Sequence, residues 1–103
     1  MAEKVFQALS STARRKILAY LSATDLTAGE IASRFEMSKP SVSQHLNVLE
    51  SAGLVERTKK GQFVVYHLAD ENLTNTLNDF VQEVCPVSRP LKRESKKKVQ
   101  TQN

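Results

Sequence analysis

Two helical stretches separated by two residues constrain this chain more than any other feature. Residues 27–35 and 38–53 each read as a helix, and only Glu36-Met37 lies between them. A joint of that length connects the helices of a helix-turn-helix pair. Local chemistry marks the boundaries. Thr27-Ala-Gly-Glu30 has capping-box spacing, with Ile31, Ala32 and Phe35 as the apolar positions behind it. Ser38 is placed to cap the second helix, and Pro40 sits in its first turn, where a missing N–H does no harm. Gly53 suits a left-handed stop.

The second helix has an unusual outer face. At about 100° per residue, Val42, Leu46, Leu49 and Gly53 fall on one side. Pro40, Ser41, Gln44, Asn47, Val48 and Ser51 fall on the other, which carries no charge and many short hydrogen-bonding groups. A solvated face more often displays Lys and Glu. A face that lies in the major groove of DNA needs neutral groups short enough to reach base edges, with positive charge moved to its flanks for phosphates. The flanks supply it through Lys39, Arg14, Arg15, Arg57, Lys59 and Lys60. Gln44 has the two-pronged amide that pairs with adenine, and serines at a helix start can bond phosphate or base. Val48 can touch a thymine methyl or pack under the hairpin.

Around this pair the remaining pattern is short and regular. Residues 2–9 place Ala2, Val5 and Leu9 on one stripe with Phe6 at its edge. Ser10-Ser11 offers a cap for a helix over 12–22, with Ile17, Leu18 and Leu21 inward. Residues 54–58 and 63–68 are β-prone runs flanking Lys59-Lys60-Gly61-Gln62, a hairpin with a basic tip. Asp70 caps a last helix over 71–84, on which Leu73, Leu77, Phe80 and Val84 share a stripe with Val81 at its margin. The fold class is mainly α with a small β-hairpin, in the order ααααββα. That last stripe is either core or dimer interface; a second apolar face on residues 2–9 favours the interface.

Composition excludes more than it asserts. At 103 residues, with 40% hydrophobic and 25% charged residues, the chain is one globular domain. No run approaches the ~18 apolar residues of a membrane span. The first residues lack the pattern of a signal peptide, which predicts a soluble, cytoplasmic protein. Cys85, the only cysteine, allows no internal disulfide and no four-cysteine zinc cluster. Neither a phosphate-binding glycine loop nor a nucleophile with a partner base is present, so no enzyme is expected. The net charge of +4 is unevenly spread. Residues 86–103 carry six Lys/Arg against Glu94, residues 1–69 carry nine against six acids, and residues 70–85 carry four acids alone. The expected division is a DNA-binding and dimerisation domain over 1–85 and a basic, disordered tail over 86–103. The tail either adds non-specific affinity or only solubilises.

Several linked segments carry a family resemblance. They are Phe6-Gln-Ala-Leu-Ser-Ser-Thr-Ala-Arg-Arg-Lys-Ile-Leu18, Leu26-Thr-Ala-Gly-Glu-Ile-Ala32, Ser38-Lys-Pro-Ser-Val-Ser-Gln-His-Leu-Asn-Val-Leu49, and Gly53-Leu-Val-Glu-Arg57 leading to Lys60-Gly-Gln-Phe-Val-Val-Tyr66. In that order, residues 1–84 resemble an ArsR/SmtB-type winged helix-turn-helix repressor. The resemblance implies a homodimer built by the first and last helices, with Val5, Phe6, Leu9, Leu73, Leu77, Phe80, Val81 and Val84 at its interface. It implies that helix 38–53 enters the major groove and the hairpin is the wing. Ser41, Ser43, Gln44 and His45 would meet the base region, with Lys39, Arg15, Arg57, Lys59, Lys60 and Gln62 around them. The helical wheel supports Ser41 and Gln44 directly and leaves Ser43 and His45 on the borders between faces. The thiolate pair usual in metal-sensing members would fall at Thr27 and Gly29, neither a ligand, and the last helix has no histidine. No metal or cofactor is therefore expected. Control would come from abundance, a regulatory protein partner or another effector. The reading is a sequence-specific repressor that occludes a palindromic promoter operator, that of its own gene among the candidates. The alternatives are a winged-helix protein-interaction module and a sequence-indifferent architectural DNA binder.

Overall fold

Short polar side chains set the helix boundaries of this chain, and the computed structural model shows them at work over residues 2–85. The tail expected at 86–103 lies outside the described residues. In chain order the elements are α1 (Ala2–Leu9), α2 (Thr12–Leu21), β1 (Leu26–Thr27), α3 (Ala28–Phe35), α4 (Lys39–Ser51), β2 (Val55–Lys60), β3 (Phe63–Leu68) and α5 (Asp70–Val84). Residues through Leu73 form one compact unit, and α5 from Thr74 onward belongs to a second.

Four of the expected caps form where the sequence places them; Asp70, expected to cap a helix over 71–84, is instead the first residue of α5. Ser11 Oγ accepts from the Arg14 amide at 3.2 Å and opens α2. Thr27 and Glu30 close a full capping box on α3: the Thr27 amide donates to Glu30 Oε1 at 2.8 Å, and the Glu30 amide to Thr27 Oγ1 at 3.1 Å. Ser38 Oγ accepts from the Ser41 amide at the head of α4, with Pro40 in the first turn. The end of α4 is a Schellman stop around Gly53 (φ 76): the Leu54 amide reaches Leu49 O and the Gly53 amide reaches Glu50 O, both at 2.9 Å. From the first turn of α5, Asn72 Nδ2 donates to Ala52 O at 3.2 Å and to Gly53 O at 3.0 Å. The helix-turn-helix joint is less comfortable. Glu36 ends α3 at φ 55, a left-handed conformation that costs a residue with a Cβ about 1–2 kcal/mol.

The core lies between these helices and one face of the sheet. Val42, Leu46 and Leu49 of α4 are fully buried with Ile17, Ile31 and Leu54. At about 1.5–3 kcal/mol for each large apolar side chain, this stripe is the main hydrophobic anchor. Phe35 and Met37 pack at its edge, and the Tyr20 and Phe35 rings meet edge-to-face at 5.3 Å, joining α2 to α3.

The structure departs from the expected order in one element and one burial. The sheet has three antiparallel strands in the order β1-β3-β2, with Leu26 opposite Tyr66 and Thr27 opposite Val65. A two-residue strand shows no alternation, and the extended backbone of Thr27 (φ −82, ψ 162) serves both the strand and the α3 cap. Val5, expected at an interface, is instead 2% exposed in the core of its own chain beside Ala8, so it offers a second copy almost no surface. α1 turns Val5 and Ala8 inward because it packs on α2 and α4, contacts that local periodicity does not reveal.

Gly53 gives the first prediction. A Cβ there would lie 2.7 Å from Asn72 Nδ2 while the backbone stays left-handed. Gly53→Ala is expected to lower stability by about 2–3 kcal/mol in urea denaturation, from backbone strain plus the disturbed Asn72 bonds. An unchanged midpoint would show that the α4 stop does not limit stability.

Candidate nucleic-acid interface

The outer face of α4 follows directly from burial of the inner one. With Val42, Leu46 and Leu49 at zero exposure, the 100° helical step turns Gln44, Asn47, Val48 and Ser51 outward, and all four are exposed. Ser41 is half-buried because its hydroxyl accepts from Ser38 Oγ at 3.0 Å. Ser43 and His45 are half-buried at the two borders, as the wheel implied. Lys39 is exposed at the first position of the helix, where peptide N–H groups and the positive end of the helix dipole add to its charge.

The arginines expected at the flanks are already engaged inside the fold. Arg14 Nε donates to Ala8 O at 2.8 Å, its Nη2 donates to Gln7 O at 3.1 Å, and its Nη1 lies 3.3 Å from His45 Nδ1. Arg15 Nη1 donates to Leu9 O at 2.6 Å and Nη2 to Thr12 Oγ1 at 3.2 Å. The two guanidiniums thus bind carbonyls at the end of α1, of which Gln7 O also accepts from the Ser10 amide at 3.2 Å and the Ser10 hydroxyl at 2.7 Å. Arg57 Nε stands 3.5 Å from Glu50 Oε2 on α4, an exposed pair that ties the wing to the helix and partly neutralises the arginine.

The wing splits its basic tip by strand alternation. The β2–β3 register pairs Arg57 with Tyr66, Lys59 with Val64 and Lys60 with Phe63 across a two-residue turn at Gly61-Gln62. Cross-strand partners share a face. Arg57 and Lys59 therefore lie on the Tyr66 side, where Arg57 meets α4. Lys60 lies on the reverse, lining a groove with Thr58, Val65 and His67 in which Asp25 and Asp70 are also present. Gln62 and Phe63 are exposed at the tip. His67 pairs across the strands with Glu56 at 3.0 Å, a surface strand contact.

Two neighbours of α4 went unseen in the sequence. Lys4 and Gln7 of α1 line a shallow depression with Asn47, Val48 and Ser51. Val48, 38% exposed, faces this depression rather than the underside of the hairpin. Lys4 thus places a further cation beside the C-terminal half of the outer face. Its only sequence signal was its place on the polar side of residues 2–9, because the α1–α4 contact joins segments some 40 residues apart.

The remaining dimer candidates are distributed unevenly. Phe6 and Leu9 are half-buried, and Leu73 packs partly on the core. Along α5, by itself, no residue is buried. Leu77 is 36%, Phe80 45%, Val81 42% and Val84 57% exposed, a contiguous apolar stripe.

The geometry agrees with three comparisons. The sequence model of the family described as "Bacterial regulatory protein, arsR family" matches residues 11–57, from the α2 cap through the first wing residues. The transcriptional repressor SdpR of Bacillus subtilis is 47% identical over 74 residues, covering 72% of this chain and 82% of that protein. An ArsR-like transcriptional regulator from Rhodococcus sp. RHA1 superposes with a TM-score of 0.76 at 32% identity, covering 89% of this chain and 87% of that one. A homodimeric winged helix-turn-helix DNA-binding domain from Mycobacterium bovis, described as a possible ArsR-family regulator, gives 0.67 at 30% identity, covering 85% and 81%.

Proposed function

The chain belongs to the ArsR family of bacterial regulatory proteins, and from that membership we propose a homodimeric, sequence-specific repressor of transcription that reads duplex DNA with α4. The observation that carries this reading is the exposed, uncharged, hydrogen-bonding face of α4 opposite a fully buried one, with Lys39 at its head, Lys4 beside its later turns and Lys59 exposed on the wing. Ser41, Gln44 and His45 meet base edges, and the lysines meet phosphates on either side. Two copies joined through the α5 stripe present two such helices to half-sites about 34 Å apart, so the operator is an imperfect palindrome. Occupation of a promoter then blocks polymerase, and the promoter of the chain's own gene is a natural target.

The direct test is fluorescence anisotropy with the DNA upstream of the protein's gene and with scrambled duplex, across a salt series. A preference of roughly a thousandfold or more is expected for one native promoter duplex. Equal, steeply salt-dependent binding to every duplex would support an architectural role instead. A well-folded dimer that binds no duplex would support a protein-interaction module.

Four substitutions separate the roles. Gln44→Ala is expected to cost about 1–3 kcal/mol on the preferred duplex and little on others; equal losses everywhere would remove Gln44 from base reading. Lys59→Ala should weaken binding to all sequences and reduce the salt slope by about one. Lys60→Ala, on the carboxylate-lined face, should do less, and equal effects would show that the two faces of the wing are not distinguished by DNA. Leu77→Asp is expected to convert dimer to monomer in sedimentation, because a charge on the stripe must be desolvated on pairing. A dimer of unchanged size would put the interface elsewhere.

A further inference from the structure

We propose that Arg14 is a positioning residue for His45: it holds the imidazole in its Nε2–H tautomer, so that α4 presents a fixed hydrogen-bond donor to an acceptor atom on DNA. The inference rests on the DNA-reading role of α4 and assigns Arg14 a part different from a phosphate contact.

The argument begins with which groups can donate. A guanidinium has five N–H donors and no acceptor. Arg14 Nη1 lies 3.3 Å from His45 Nδ1, so the hydrogen between them belongs to arginine and Nδ1 is the acceptor. In the neutral ring the single proton is then on Nε2. Among the described residues no hydrogen bond engages Nε2. The ring sits half-buried at the border of the face that carries Gln44 and, one turn earlier, Ser41.

Arg14 is itself held from several directions, which is what makes it a useful clamp. Its Nε and Nη2 are fixed on the carbonyls of Ala8 and Gln7 at the end of α1, and its backbone amide is fixed on the Ser11 cap. A rigid planar fork with two prongs already bound leaves Nη1 little freedom, so the imidazole meets a stationary partner. The rotamer entropy of Arg14 and the tautomer choice of His45 are both settled on folding rather than on binding, and preorganisation of this kind strengthens recognition. A donor at Nε2 fits acceptors only: guanine O6 or N7, adenine N7, thymine O4, or a phosphate oxygen. The same guanidinium also joins the end of α1 to the reading helix.

The experiment has a free-protein arm and a DNA arm. Long-range proton–nitrogen correlation spectra of the full-length protein without DNA, at a pH where the ring is neutral, are expected to show the Nε2–H pattern for His45. Arg14→Lys should return the ring to a mixture of tautomers. An Nδ1–H signature in the unaltered protein would overturn the proposal, whatever the protein binds. In the DNA arm, Arg14→Lys and His45→Ala should each weaken binding to the preferred duplex by about tenfold. The double variant should lose no more than His45→Ala alone. Additive losses would overturn the proposal in favour of an independent phosphate contact by Arg14. His45→Gln, which keeps a donor near the Nε2 position, should recover part of the loss and guards against a fold effect of Arg14→Lys. A loss confined to one duplex assigns the acceptor to a base, and a uniform loss assigns it to a phosphate. If no duplex is preferred by the unaltered protein, the function proposed above fails, while the tautomer signature still decides whether Arg14 clamps the ring.

Discussion

Burial of one face of α4 is the constraint on which the rest of this structure depends. α1, α2, α3 and β2 all pack against that helix, and its Val42, Leu46 and Leu49 have no exposure at all. Rotating α4 by one residue, about 100°, would drive Ser43 and Asn47, or Ser41 and His45, into the core and lift leucines into water, a loss of several kcal/mol from transfer and unsatisfied polar groups together. The outer face is therefore oriented by the inner one. Fixing its two ends completes the constraint: Ser38 and Pro40 fix the start, and Gly53 with Asn72 fixes the stop.

Much of this was legible in the sequence because it is local chemistry. Ser11, Thr27 with Glu30, Ser38 and Gly53 each act within four or five residues of their own position, and each does in the structure what its spacing implies. What was not legible depends on contacts between distant segments. β1 is two residues long and its pairing partner is about 40 residues away, so nothing in Leu26-Thr27 itself announces a strand. Val5 belonged to a stripe that could have faced a neighbour or its own core, and only the packing of α1 on α2 and α4 decides between them. Lys59 and Lys60 looked equivalent in a basic tip until the register with β3 assigned them to opposite faces.

The two kinds of cation have divided their work in a physically sensible way. Arg14, Arg15 and Arg57 use their forked, fixed geometry to bind α1 carbonyls, a histidine and a carboxylate within the protein. Lys39 stays exposed at the head of the outer face, and Lys59 stays exposed on the wing. A phosphate contact through counterion release needs a charge close to the backbone more than it needs a defined angle, and a mobile ammonium meets that demand. Counting basic residues along the sequence overstates the charge free to meet DNA, because it cannot tell a structural guanidinium from a free ammonium.

Size supplies the final step. A domain of this length buries only about 60–70% of the surface of its unfolded chain, so its own core leaves little margin. α5 adds no buried residue to that core, yet it exposes Leu77, Val81 and Val84 on one stripe. Covering such a stripe with a second copy would contribute hydrophobic stabilisation at about 25 cal/mol per Å² of apolar surface, offset by the entropy of association. Pairing would then make stability depend on protein concentration, and DNA that binds only the pair would draw the same equilibrium further toward the folded dimer. Fold, assembly and DNA reading would in that case be linked equilibria, and the level of the protein would itself set how fully an operator is occupied, with no sensor site required.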